Sequence, residues 1–269
     1  MARHLHLDPF AGVAGDMFIG CLIDLGAPLE AIDAALAPLA IAPPVRLTAE
    51  STLRHGIRGI DFKVREEEAR SEKRGVTGHT HEHQHHGHGH HHAHEHGPHV
   101  RPSDILAMVD RLNVADRAKA RARAVVTRLA EAEAAVHGKP VEEIHFHEVG
   151  ATDSIVDMLG SAVALELLDI ATISCAALPL GHGFVDCAHG RMPLPAPATA
   201  AILTGVPTYG VDRQGETVTP TGAALVVALT DTFGPLPAMN VEAIGYGAGD
   251  RDDPDTPNLL RAYLGERIA

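Results

Sequence analysis

Twelve of the twenty histidines lie between His79 and His99, in the run HTHEHQHHGHGHHHAHEHGPH. Imidazole is the commonest side-chain ligand for borderline divalent metals, so the run offers overlapping, exchangeable positions to Ni, Zn, Cu or Co. It has little apolar surface to bury, and Gly87, Gly89 and Gly97 keep its backbone loose, which predicts a disordered loop. Its internal position argues against a terminal purification tag. No single coordination sphere is encoded, so the run points to metal capture and delivery rather than catalysis. The plain alternative is a solvated polar insertion.

A second stretch, VEEIHFHEVGATDSIVD, carries more defined chemistry. In an extended segment His145 and His147 project to one face. A turn at Gly150 then starts a helix on which Asp153 and Asp157 stand one turn apart. His145, His147, Glu148, Asp153 and Asp157 thus form a candidate divalent-metal constellation, with His147 and Glu148 its firmest members. Residues 140–190 contain no Lys or Arg, and carboxylates without internal cations invite an external one. For Asp153 the plain alternative is an acid complementing a helix N-terminus. Asp8 and Asp16 flank a turn rich in small residues, where hard oxygens would suit a Mg or Mn ion carrying nucleotide phosphates. In LPLGHGFVDCAHGRMPLP, His182, Cys187 and His189 are softer metal candidates, although Cys187 could equally be a small buried residue. Thr219, Thr221 and Gly222 open an apolar helix, where hydroxyls and unpaired N–H groups would accept a phosphate; capping alone needs one threonine.

The elements that must position these groups are legible in outline. His4–Leu7 reads as a strand ended by Pro9, followed by a helix from Met17 to Leu25 closed at Gly26. A second helix is expected over 28–40. Val45–Leu53 and Ile57–Arg65 suggest a hairpin turning at His55-Gly56. Ser103 is expected to cap a helix over Asp104–Arg111, and a long helix runs from about Ala115 to His137, ending at Gly138. The 178–203 stretch reads as irregular, GYGAG as a glycine-rich turn, and Asn258–Leu264 as a strand. The fold class is α/β, a mixed sheet with flanking helices and a disordered His-rich loop at 71–100. The 269 residues, 45% hydrophobic, suffice for a real core. A formal charge of −13 argues against nucleic acid. Three cysteines without a CxxC pair argue against disulfides and thiolate zinc knuckles, and no run is long enough to span a membrane, so a cytoplasmic protein is expected.

In order along the chain, DPFAGVAGDM, the His run, IHFHEVGATDSIVD, PLGHGFVDCAHGRMPLPAPAT, TPTGAAL and GYGAGDRDDPDTPNLLR resemble the LarC-type nickel-insertion proteins. The resemblance implies a cyclometallase that inserts nickel into pyridinium-3,5-bisthiocarboxylic acid mononucleotide, giving the nickel-pincer cofactor of lactate racemase. It also implies CTP hydrolysis with Mg or Mn, and a homo-oligomer. A further C-terminal CTP-binding domain beyond Ala269 is expected, made separately or lost by truncation. A lactate racemase-type apoprotein would be the downstream recipient. Forming a nickel–carbon bond requires loss of the pyridinium C4 proton, for which Glu148, His147 and Asp16 are the candidate bases. Thr219, Thr221 and Gly222 would hold the phosphate. The rival reading is a His-rich nickel or zinc metallochaperone or storage protein. A metal-dependent hydrolase is disfavoured by the lack of an HExxH motif.

Overall fold

The computed structural model describes residues 2–39, 41, 43–66, 100–146, 149–187 and 189–268. The His run, expected at 71–100, lies outside these but for Val100. In chain order the elements are β1 (Arg3–Asp8), α1 (Gly15–Asp24), α2 (Leu29–Leu36), β2 (Val45–Arg54), β3 (Ile57–Glu66), α3 (Pro102–Arg111), α4 (Asp116–His137) and α5 (Thr152–Leu167). Then follow β4 (Ile170–Cys175), β5 (Leu178–His182), β6 (Phe184–Cys187), β7 (Gly190–Pro193), α6 (Pro197–Ile202), β8 (Thr208–Gln214), α7 (Pro220–Leu229), β9 (Thr232–Phe233), β10 (Met239–Ala248) and β11 (Leu259–Arg267).

Seven strands form one mixed sheet in the order β2-β3-β10-β11-β1-β4-β9, so the expected α/β fold is present. β1 runs parallel to β4 and antiparallel to β11. Two small pairs, β5-β8 and β6-β7, stand apart from it. The β2–β3 hairpin turns at His55 (φ 50°) and Gly56 (φ 79°), two consecutive left-handed residues that match the twist of the flanking strands.

Period-two alternation sorts β1 into two faces. Leu5 and Leu7 pair with Leu264 and Ala262 of β11, and all four are buried. On the same face Gly245 and Gly247 of β10 lie under α1, where a Cβ on Gly247 would stand 1.8 Å from the Met17 carbonyl oxygen. The GYGAG segment is therefore strand, not turn: its glycines are used for close helix–sheet approach. Two further expectations change. α3 begins at Pro102, and Asp104 Oδ2 accepts from the Arg101 N–H at 3.0 Å, so Ser103 sits inside the helix. The 178–203 stretch is not irregular, because β5 buries Leu178 and Pro179 against β8, and β6–β7 closes as a hairpin.

The opposite face of β1 carries His4, His6 and Asp8. The two histidines are buried and share Ser174, whose Oγ lies 2.8 Å from His4 Nε2 and 2.8 Å from His6 Nδ1. Burial pushes His6 down from 6.5 to about 4, against the opposing pull of Asp8. The folded protein keeps His6 neutral while the unfolded chain protonates it, so this contribution is complete above pH 6.5 and lost as pH falls from there toward 4. At about 1.4 kcal/mol per pH unit, the loss should reach roughly 1–3 kcal/mol. In urea melts, His6→Gln should lose stability less steeply than the parent across that window; parallel curves would place the acid sensitivity elsewhere.

Candidate functional site

The N-terminal turns of three helices border one cleft of about 670 Å³. α1 contributes Gly15, Asp16 and Met17, α5 contributes Asp153, Ser154 and Asp157, and α7 contributes Pro220 and Thr221 behind Thr219. Each helix start brings the positive end of its dipole to the cleft, where side chains take up part of it: Asp16 Oδ1 accepts from the Met17 N–H at 2.8 Å and Asp153 Oδ1 from the Ser154 N–H at 2.7 Å. Local folding explains the convergence. Val13 donates to the Thr217 carbonyl at 2.9 Å and accepts from the Thr219 N–H at 3.1 Å, which ties the turn before α1 to the turn before α7. Gly222 has no room for a side chain, since its Cβ would stand 2.3 Å from the Val13 carbonyl oxygen. Its N–H donates to Thr219 Oγ1 at 3.1 Å, so Thr219 caps α7 while Thr221 remains a cleft residue.

The starts of α1 and α5 themselves carry a cluster of carboxyls, Asp16, Asp153 and Asp157. Gly15 lets the Asp157 carboxylate press against the start of α1, for a Cβ there would lie 2.3 Å from Asp157 Oδ2. Asp157 is only 8% exposed. Burial, reinforced by the Asp16 and Asp153 charges, holds its carboxyl well above the usual carboxylate range. Burial also pushes Asp16 up to about 6, against the opposing pull of Lys63 and the Met17 N–H, which donates to Asp16 Oδ1 at 2.8 Å. Lys63, on β3, stands 3.7 Å from Asp16 Oδ2 and 2.8 Å from Asp61 Oδ1, and also pairs with Asp250. Burial disfavours its charge, but Asp250 and Asp61 outweigh that and raise its pKa. Arg251 reaches the rim with its guanidinium on the Glu216 and Gln214 carbonyls at 2.8 and 3.2 Å.

A smaller cavity of about 260 Å³ adjoins the cleft, sharing Val149, Val185, Glu216 and Pro220 with it. Glu133, His137, Cys187, His189 and Met192 are among its lining residues.

The sequence-derived candidates therefore divide. Asp16, Asp153, Asp157, Thr219 and Thr221 meet in the main cleft, with Gly222 behind the rim. Cys187 and His189 go to the smaller cavity. Three others join neither. Asp8 lies on the far face of the sheet, where Arg261 Nε donates to its Oδ2 at 3.0 Å. His145 Nε2 accepts from Arg101 Nε at 3.1 Å, away from Asp153 and Asp157. His182 faces Asp212 Oδ1 at 3.2 Å on the exposed surface. His147 and Glu148 lie outside the described residues. Among the described residues no three His, Cys, Asp or Glu side chains are gathered as a finished metal site. The cation-free span is also less unpaired than its sequence suggests, because Arg117 of α4 binds Glu166 at 2.7 Å and Asp169 at 2.9 Å. Lys63, Arg251 and His137 were not singled out by sequence. Lys63 had one available signal, a cation on the alternating strand Ile60, Phe62, Val64.

Fold and site together define an α/β protein whose cleft gathers carboxyls and three helix starts around one space. The nickel insertion protein family matches residues 5–269, and the chain belongs to that family. It is 44% identical over 268 residues to a protein of Geotalea uraniireducens named for nickel insertion, covering 99% of this chain and 62% of the relative. It is also 44% identical over 262 residues to the pyridinium-3,5-bisthiocarboxylic acid mononucleotide nickel insertion protein of Geobacillus kaustophilus, covering 97% of this chain and 59% of the relative. The chain thus spans about three fifths of the length of these relatives. No solved structure matches it. Among the described residues no helix is long and apolar enough to cross a membrane.

Proposed function

We propose that the main cleft binds pyridinium-3,5-bisthiocarboxylic acid mononucleotide and carries out nickel insertion into it, with CTP hydrolysis linked to the reaction and a lactate racemase-type apoprotein as recipient of the product. The observation that carries this reading is the meeting of Asp16 and Asp157 with the starts of α1, α5 and α7 across one cleft. Its volume, about 670 Å³, is of the size that encloses a small organic ligand. The nucleotide phosphate sits at the starts of α1 and α7, hydrogen-bonded by Thr221 and the Thr219 hydroxyl and offset by Lys63 and Arg251. The ring then lies over the carboxyls, its positive charge matched by Asp153, and a cation at that position favours ionisation of the buried Asp157 carboxyl.

Nickel arrives as a substrate and is taken up by the two thiocarboxylates. The C4–H bond breaks, its electron pair forms the nickel–carbon bond, and the proton passes to Asp16. A carboxyl that titrates near neutrality suits that task. The hard oxygens of Asp153 and Asp157 also fit a Mg or Mn ion, which would offset phosphate charge. The further domain and the CTP site belong to the proposal as well, so the assay is run with and without the additional polypeptide of the longer relatives.

The test is nickel transfer from Ni(II) to the thiocarboxylated mononucleotide, followed by product absorbance. Product should form, and Thr221→Val should raise the apparent KM for the mononucleotide about tenfold, as expected for losing a hydrogen bond to a charged group. No product in either mixture, or an unchanged KM, would reject the reading. Removal of residues 79–99 separates this function from simple metal storage. The shortened chain should be slow at limiting nickel and recover in excess nickel, whereas a storage protein would stay inactive.

A further inference from the structure

The smaller cavity contains chemistry that the main cleft lacks. Its walls are the C-terminal turn of α4 and the inner face of the β6–β7 hairpin. Alternation along β6 puts Val185 and Cys187 on one face, and the register pairs Val185 with Met192 and Cys187 with Gly190. A thiol and a thioether therefore face the same space as His137, the last residue of α4. His189, in the hairpin turn, brings its ring centre to 5.1 Å from that of His137 at an interplanar angle of 48°. Two imidazoles sharing one borderline ion at about 2.0–2.1 Å bring their ring centres to roughly 4.5–5 Å of each other. Glu133, one turn earlier on α4, places Oε2 3.5 Å from His137 Nε2, an ion-pair contact that adds negative charge beside the imidazole. The C-terminal end of α4 adds the negative end of its dipole, which favours a bound cation.

We infer that this cavity is a waiting site for a borderline divalent metal, held by His137, His189 and the Cys187 thiolate, from which the ion passes to the main cleft. Identifying the ion as nickel rests on the nickel-insertion reading; the donor set alone selects a borderline or soft metal over Mg or Mn. Among the described residues the three donors are not gathered as a finished site, so binding requires the Cys187, His137 and His189 side chains to close on the ion. On binding, the Cys187 proton leaves to solvent and sulfur becomes the ligand. Cys187 is the half-buried thiol of the three cysteines. Cys21 and Cys175 are buried, and burial pushes both thiols up, Cys175 to about 12. The residues shared by the two cavities make the route between them short. Sulfur and imidazole donors also sort metals, admitting borderline ions to the cavity and leaving hard ions to the oxygens of the cleft.

The test is titration of the full chain with Ni(II), and separately Co(II), reading the thiolate-to-metal charge-transfer band. The His run contains no cysteine, so it cannot produce that band. A saturating band is expected. Cys187→Ser should remove it, His137→Ala and His189→Ala should each weaken the affinity it reports by about tenfold or more, and His182→Ala should leave it unchanged. As a check that needs no variant, Ni(II) should slow alkylation of Cys187 in the parent chain. Absence of the band with unslowed alkylation, persistence of the band in Cys187→Ser, or indifference to both histidine changes would overturn the assignment. No mononucleotide is present in the titration, so failure of the substrate reading leaves its outcome untouched, and failure of this site leaves the mononucleotide assay to stand alone.

Discussion

Asp157→Asn is expected to melt higher than the parent at pH 8 while losing nickel insertion by about a hundredfold or more. Both effects come from one fact: a carboxyl only 8% exposed, pressed on Gly15 and beside Asp16 and Asp153. Burial and like charge both disfavour its ionised form, so at pH 8 folding works against it. Asn is nearly isosteric and carries no charge. Removing the charge should stabilise by roughly 1–3 kcal/mol, equivalent to about 2–4 °C per kcal/mol for a chain of this size. The same change removes the carboxyl that, in the proposed complex, ionises against the pyridinium ring. Asp16→Asn should also abolish product, but with a smaller gain in melting temperature, because Lys63 and the Met17 N–H already compensate Asp16 in part. Calorimetry at pH 8 beside the transfer assay decides the matter. A lower melting temperature for Asp157→Asn would show that the carboxylate is stabilised by its surroundings, and retained turnover would remove it from the site.

Gly247→Ala should cost about 3 kcal/mol or more, enough to leave little folded protein. The added Cβ would lie 1.8 Å from the Met17 carbonyl oxygen and 2.7 Å from the Cys21 nitrogen, both on the backbone of α1. Backbone cannot yield as a side chain tip can, so α1 would have to lift from β10 and carry Asp16 with it. Gly210→Ala is the control, because a Cβ there meets nothing within 4 Å. It should melt within about 1 kcal/mol of the parent. Equal melting of the two variants would show that α1 sits less tightly than its contacts with β10 imply.

Much of the frame was legible because it follows short-range rules. The β1–turn–α1 unit, the His55-Gly56 hairpin, the Gly138 end of α4 and the Thr219 cap all depend on residues within a few positions of one another. GYGAG misled because its glycines answer to α1, more than two hundred positions away, and not to a local turn. The site was legible as parts. Asp153 and Asp157 could be put on one helix face, but nothing local shows that Lys63 would meet Asp16, or that Arg117 would neutralise Glu166 and Asp169. Asp8 could have been placed better. The alternation that buries Leu5 and Leu7 under the helices sends Asp8 to the face it shares with His4 and His6, away from Asp16. His137 looked like an ordinary helix-end residue until the hairpin brought His189 beside it.

The attachment points of the histidine-rich segment bear on the metal supply that the proposed function requires. The chain leaves β3 at Glu66, three residues after Lys63, and re-enters at Val100, which pairs with Phe146 three residues before Val149. Lys63 lines the cleft and Val149 lines both cavities. Both ends of the segment therefore join the described chain beside the two cavities. Under the proposed function, an ion held by those imidazoles would reach the cavities as an intramolecular exchange, at an effective concentration set by the chain connection rather than by free metal in solution.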